Sequence, residues 1–227
     1  MNTSTQNYQD VLARINSAEA HCQRPHQSVK LLAVSKTKPI EMINELAALG
    51  QKAFGENYLQ ESLEKMAQRP DLEWHFIGPI QSNKTKPIAE HFDWVESVDR
   101  LKIAQRLSAQ RPNNKPPLNI LLQVNISQEA SKSGFMPNEL IAMATEMASL
   151  PGLVIRGLMA IPKVETQFER QRIAFRQMHQ LFSQLQQTLG HAHIDTLSIG
   201  MSSDLEAAIA EGSTQVRIGT DLFGERK

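Results

Sequence analysis

Eight short apolar runs recur along this chain, and an amphipathic stretch follows most of them. The runs are LLAVSK (31 to 36), KAFGEN (52 to 57), EWHFIG (73 to 78), WVESV (94 to 98), NILLQVN (119 to 125), VIRGLMA (154 to 160), IDTLSIG (194 to 200) and TQVRIGT (214 to 220). Between them apolar residues return at near-3.6 spacing, as in Ile40, Ile43, Leu46 and Leu49, or Leu140, Ile141, Ala144, Met147 and Ala148, or Ala207, Ala208 and Ile209 ahead of Gly212. Several runs are almost continuously apolar, which a parallel strand needs when both of its faces are covered. Eight strand-then-helix units predict a closed α/β barrel, a single (β/α)8 TIM barrel, because closure removes the exposed edges of an open sheet.

The length agrees with one domain: barrels of this kind commonly run to roughly 200–250 residues, and the chain has 227. Residues 31–227 are assigned to the barrel and 1–30 to an extra N-terminal helix, Tyr8 to His21, with its lead-in. QRPHQS breaks that helix from the first strand, so it is expected to pack on the outside or bottom. The stretch from Glu165 to Leu189 reads as an outer-ring helix with a buried stripe of Phe168, Ile173, Phe175, Met178, Leu181, Phe182, Leu185 and Leu189. RPNNKPP, at 111 to 117, is loose but too short for a domain linker.

The formal net charge is zero, so no basic excess points to nucleic acid. The N-terminus lacks an apolar signal core and no run approaches the ~18 apolar residues of a membrane span, which predicts a cytoplasmic protein without membrane attachment. Cys22 is the single cysteine, and with His21 and His26 it makes a thin metal set. His191 and His193, in GHAHID, read as a solvated turn because no third ligand is evident.

In a barrel of this class the site lies at the C-terminal mouth of the strands, so the residues ending each run are the ones that can carry chemistry. Lys36 ends the first run, and Pro39 is suited to open the helix after it. A lysine desolvated in the mouth favours its neutral amine, which attacks aldehydes to form Schiff bases. A rim lysine that snorkels to water satisfies the same position equally. The loops after the seventh and eighth runs are where barrels most often grip phosphate. There SIGMSSD supplies Ser202 and Ser203 near a helix start, and RIGT supplies Gly219 and Thr220. An ordinary N-cap and a turn glycine explain either loop alone. A mouth lysine opposite a phosphate grip suggests pyridoxal 5'-phosphate (PLP). Arg217, pointing inward, would donate to the pyridine nitrogen and keep it unprotonated, making the ring a poorer electron sink. A barrel holding another phosphorylated metabolite without covalent chemistry remains open on the residues alone.

LLAVSKTKP, FGENYLQE, WHFIGPIQSNK, GLMAI, SIGMSSDLEAAI and VRIGTDLFG occur in this order over nearly the whole chain. Together they resemble the YggS/PROSC family of pyridoxal phosphate homeostasis proteins. The resemblance implies a barrel similar to the N-terminal domain of alanine racemase. It implies PLP joined to Lys36 as a Schiff base, with Ser202, Ser203, Gly219 and Thr220 at the phosphate and Arg217 at the ring nitrogen. It further implies that Asn57 of FGEN and Met159 of GLMAI line the pocket. The function that follows is cofactor binding in vitamin B6 homeostasis and amino-acid balance without catalysis, with PLP-dependent apoenzymes as candidate recipients and no catalytic residue assigned.

The rival reading is a PLP-dependent amino-acid racemase. Racemising relatives carry a second β domain and a catalytic tyrosine from a partner subunit, whereas this sequence stops at FGERK just after the eighth run. That domain is therefore expected to be absent and the protein a monomer. Tyr8 and Tyr58 are the only tyrosines; Tyr58 could reach the mouth or pack outside. The pentapeptide KTKPI occurs twice, and only Lys36 directly follows an apolar strand. Lys84 lies in a loop beyond Gly78 and Pro79, where a solvated role is expected. Glu56 faces away from the barrel axis if Asn57 faces in, because strand side chains alternate.

Overall fold

The computed structural model describes residues 3–129, 131–190 and 193–224. Eight parallel strands close on themselves in chain order: β1 (Lys30–Val34), β2 (Ala53–Glu56), β3 (Glu73–Phe76), β4 (Trp94–Val98), β5 (Leu118–Gln123), β6 (Leu153–Met159), β7 (Thr196–Ser198) and β8 (Gln215–Ile218). β8 pairs with β1, Leu31 against Val216 and Ala33 against Ile218, which completes the barrel. Helices follow the strands: α2 (Ile40–Ala48), α3 (Leu59–Gln68), α4 (Thr85–His91), α5 (Leu101–Gln110), α6 (Leu140–Met147), α7 (Phe168–Leu189), α8 (Leu205–Ala210) and α9 (Thr220–Phe223). The extra helix α1 (Thr3–His21) joins the outer ring against α2, α8 and α9 rather than the bottom.

Most strands are shorter than their apolar runs; β4 and β6 match theirs in length. β1 stops at Val34 and β7 spans three residues, so Lys36, Asn57 and Gly219 sit in turns just beyond strand ends. Thr220, read as part of the last run, opens α9 instead. A strand ends where its neighbour stops offering backbone partners, and side-chain apolarity cannot report that.

Apolar residues fill the layer between sheet and helices. Phe54, Val95, Ile120, Leu122, Leu158, Val216 and Ile218 form one buried cluster with Ile43, Leu46, Ile88, Leu107, Phe175 and Met178. Phe168 and Ile173, expected in the buried stripe of α7, are exposed; the buried face is Phe175, Met178, Phe182 and Leu185. Phe168 opens the helix, and Ile173 lies on the side opposite the buried face.

Inside the barrel the composition reverses. Trp94, Leu121 and Met159 form a small separate cluster, and around them His75, Glu96, Ser198, Gln215 and Arg217 are all buried. EWHF, WVESV and QVRI thus alternate between an apolar outer and a polar inner face, rather than being apolar on both.

Among the described residues no helix is long and apolar enough to cross a membrane, and no group of three or more His, Cys, Asp or Glu could hold a metal ion. His193 is exposed in a bend, and His191 lies outside the described residues.

A cavity at the barrel mouth

The turn carrying Lys36 is built by its neighbours. Ser35 C=O accepts from Lys38 N–H (3.0 Å), closing a four-residue turn. Thr37, its third residue, has φ +64°, the left-handed conformation that glycine usually supplies in such a turn and that a β-branched residue adopts only under constraint. Two contacts from α3 provide the constraint. Thr37 N–H donates to Glu61 Oε1 (2.6 Å), and Lys65 Nζ donates to Ser35 C=O (2.8 Å), Glu56 Oε1 (2.7 Å) and Glu61 Oε1 (2.6 Å). Ser35 Oγ also donates to Glu56 Oε1 (2.6 Å). Burial pushes the Glu56 carboxyl above its ordinary range, against the pull of Lys65 and Ser35. Glu56 thus faces outward, as the alternation from Asn57 predicts, and anchors the turn from outside the barrel.

The other half of the mouth is set by the strand 7 and strand 8 ends. Gly200 has φ +95°, and a Cβ there would lie 2.6 Å from Ala208 Cβ, so only glycine lets the chain turn this tightly onto α8. Arg217 N–H donates to Gly200 C=O (3.0 Å), while Asp204 Oδ1 accepts from Met201 N–H (2.6 Å) and fixes the serine loop. Arg14 of α1 clamps both loops from outside: Nη2 donates to Ser202 C=O (2.9 Å), Nη1 to Asp221 (2.5 Å), and Nε to Glu206 (2.8 Å). Lys38 Nζ reaches the carbonyls of Phe223 and Gly224, both at 3.1 Å, and ties the Lys36 turn to the end of α9.

These elements enclose a cavity of about 500 Å³, within the range of small-molecule sites. Lys36, Asn57, Met159 and Arg217 line it, and so do Ser202, Ser203, Gly219 and Thr220. All eight residues singled out from the sequence therefore meet in one place. Val34, Ile77 and Met201 add apolar wall, and Lys38 and Asp221 add charge that the sequence had not flagged. Tyr58 is 52% exposed and stands outside this lining.

Two features bear on what fits. Asn57 Oδ1 is buried without a hydrogen-bond partner, and Asn57 is held close to Gly78, where a Cβ would lie 2.3 Å from the Asn57 carbonyl oxygen. A buried amide left unpaired suits a polar ligand that completes it. Arg217 is 4% exposed, and burial lowers its pKa, against which Glu96 and Asp204 pull upward. A lysine, a buried guanidinium and two polar loops make a donor set matched to an aldehyde, a heteroaromatic nitrogen and a phosphate, the three handles of PLP, and Asn57 Oδ1 adds an acceptor.

Lys65, Glu61 and Arg14 were not anticipated. The Glu61–Lys65 spacing of four along a helix was the one available signal, and it reads equally well as an exposed pair. Lys84 is exposed in a short 3-10 turn (Ser82–Lys84), as expected. Both KTKPI prolines sit at helix entries: Pro39 caps α2, one residue earlier than anticipated, and Pro87 lies in the first turn of α4, where no intrahelical N–H is needed.

Comparison with known proteins agrees with the geometry. Residues 7–227 match the family model for the alanine racemase N-terminal domain. The chain is 58% identical to the pyridoxal phosphate homeostasis protein of Pseudomonas aeruginosa, covering 100% of this chain and 97% of that one. It is 55% identical to the protein of the same description from Pasteurella multocida, over 99% of this chain and 98% of that one. Among solved structures it resembles PipY of Synechococcus elongatus with PLP bound, at 37% identity and a TM-score of 0.80, covering 92% of this chain and 100% of that one. On this combined ground of barrel, mouth and full-length identity, the chain belongs to the pyridoxal phosphate homeostasis proteins, a family that shares its barrel with the alanine racemase N-terminal domain.

Proposed function

We propose that this protein binds PLP in the mouth cavity through a covalent bond to Lys36 and holds it for intracellular cofactor balance, without catalysing a reaction of amino acids. The observation that carries the reading is the convergence of Lys36, Arg217 and the two polar loops on one cavity. The family name and the PLP-bound relative support the choice of ligand. When bound, PLP supplies an aldehyde carbon open to amine attack and a ring able to withdraw electrons.

The protein's residues then divide the work. Lys36 would hold the cofactor through its Nζ, the amine that the aldehyde would engage. Ser202, Ser203, Gly219 and Thr220 would bind the phosphate, and Arg217 would donate to the ring nitrogen and disfavour its protonation. Met159 and Ile77 exclude water from the ring, and Asn57 turns its unpaired amide to a polar edge. A guanidinium at the ring nitrogen weakens electron withdrawal, which suits holding a cofactor over carbanion chemistry. Release to PLP-dependent apoenzymes, action as a monomer and a cytoplasmic location complete the proposal.

Borohydride reduction of the PLP-loaded protein followed by peptide mapping tests the assignment: a pyridoxyl group is expected on Lys36, and its absence there overturns it. The racemase reading, raised by the shared barrel, is tested with each enantiomer of alanine in deuterated water. No α-proton exchange at an enzymatic rate is expected, because two-face proton transfer needs a second positioned acid or base, Tyr58 stands outside the cavity lining, and the lining Lys38 and Asp221 are engaged by the carbonyls of Phe223 and Gly224 and by Arg14.

A further inference from the structure

Below the mouth, the barrel interior holds a column of charge that covalent attachment at Lys36 does not by itself require. Arg217 donates from Nη1 to the Ser198 carbonyl (2.6 Å) and hydroxyl (2.8 Å), and from Nη2 to the Ala160 carbonyl (2.9 Å). These partners are all neutral, and a guanidinium buried so deeply needs a counter-charge. Glu96, fully buried, provides it one step away. Ser198 Oγ donates its single proton to Glu96 Oε2 (2.7 Å), and Gln215 Nε2 donates to both Glu96 Oε1 (2.7 Å) and Ser198 Oγ (3.1 Å). On the far side His75 Nδ1 lies 2.6 Å from Glu96 Oε1 and Nε2 3.0 Å from Glu73 Oε1, with the Trp94 ring stacked on the imidazole at 5.1 Å. Charge alternates along the sequence Arg217, Glu96, His75, Glu73.

The Ser198 hydroxyl is fully engaged, with its proton on Glu96 and its lone pairs taken by Arg217 and Gln215. Its rotation is thereby fixed, and so is the guanidinium that leans on it. The other carboxylate whose charge reaches Arg217 is Asp204, in the serine loop at the mouth. We propose that Glu96, acting through Ser198, is the positioning residue for Arg217. It draws the guanidinium toward the barrel axis, away from Asp204, and so holds it where the ring nitrogen of the cofactor binds. The proposal rests on the reading of Lys36 and Arg217 given above.

The test compares wild type with Ser198→Ala, Ser198→Thr and Glu96→Gln, measuring the Kd for PLP, the visible absorption band of the bound cofactor, borohydride labelling of Lys36 and the Tm of each apo form. In Ser198→Ala and Glu96→Gln, PLP is expected to bind about tenfold more weakly, the scale of one lost hydrogen bond to a charged group. The absorption band is expected to move while Lys36 is still labelled. Ser198→Thr keeps the hydroxyl and is expected to restore both properties. If Glu96→Gln fails to fold, the two serine variants decide. Variants that label Lys36 and match wild type in Kd and band overturn the proposal, as does weaker binding with an unmoved band, which marks a merely structural serine. A wild-type protein that never labels Lys36 fails differently: it removes the site assignment, and this proposal falls with it.

Discussion

Val95 and Glu96 are adjacent on β4 and both are fully buried, yet they depend on opposite physics. Val95 enters the layer between sheet and helices, where it needs only apolar neighbours of about the right volume. Glu96 enters the barrel interior, where each oxygen needs a specific donor: His75 and Gln215 on one, Ser198 on the other. The outer face is therefore tolerant and non-directional, and the inner face is fixed by partners. Stability can be distributed over many outer positions, whereas the inner column stands or falls together and ends at Arg217, which lines the mouth cavity.

The largest effect should come from removing the carboxylate at the centre of the column. Glu96→Ala leaves His75 and Arg217 without their shared counter-charge, and urea unfolding should show a loss of about 3–5 kcal/mol, the range for breaking a buried pair. Trimming the outer face gently with Ile120→Val should cost only about 1 kcal/mol. Equal losses in the two variants would erase the distinction between the faces.

The pH dependence of stability sharpens the same contrast. Burial opposes both charged forms, but at His75 the hydrogen bonds it donates to Glu73 and Glu96, together with their charges, outweigh it and raise the pKa above 6.5. At Glu96 burial is the largest single influence, but the hydrogen bonds from His75 and Ser198 and the charges of His75 and Arg217 together outweigh it and lower the pKa below 4.5. The His75 contribution is thus full below 6.5 and is lost as pH rises through the raised value. The Glu96 contribution is full above 4.5 and is lost as pH falls through the lowered value. Thermal unfolding across pH should show a plateau between these limits and a decline on each side, and Glu96→Ala should flatten both limbs.

At the mouth, Arg14→Ala releases Ser202, Asp221 and Glu206 together. With its side chain about a third exposed, the stability cost should be about 1 kcal/mol after solvent screening. PLP affinity should nevertheless fall several-fold in an equilibrium titration, because the clamp grips the backbone of the serine loop that we propose binds the phosphate. The smallest effect belongs to the second lysine of the repeated pentapeptide. Lys84→Ala should stay within about 0.5 kcal/mol of wild type, as exposed substitutions do, and leave labelling of Lys36 intact. Lys36→Ala should abolish that labelling.

Much of the outer architecture was legible because it is local. Ile43 and Leu46 on α2, or Phe175, Met178 and Phe182 on α7, announce their buried faces by spacing alone. The mouth was legible for a related reason: barrel topology brings strand ends together, so Lys36, Asn57, Met159 and Arg217 needed only an assigned strand to be placed near one another. Their exact stations were not legible, since β1 ends two residues before Lys36 and the lysine rides a strained turn held by Glu61 and Lys65 of α3. Phe168 misled because periodicity shows which residues share a face and not how far along the helix that face is covered, whereas Ile173 falls on the side opposite Phe175, Met178, Phe182 and Leu185 and its apolarity alone suggested burial.

From the sequence alone came the eightfold alternation, hence the closed barrel, and the lysine, arginine and loop residues that the barrel gathers at its mouth. Both follow from local periodicity and from a topology with few alternatives. Only the tertiary structure decided what satisfies the polar residues of the inner face. Glu96 meets Ser198 and Gln215 from positions 102 and 119 residues away. A buried charge chooses its partners by hydrogen-bond geometry across the closed barrel, a three-dimensional condition that leaves no trace in the spacing of residues along one strand.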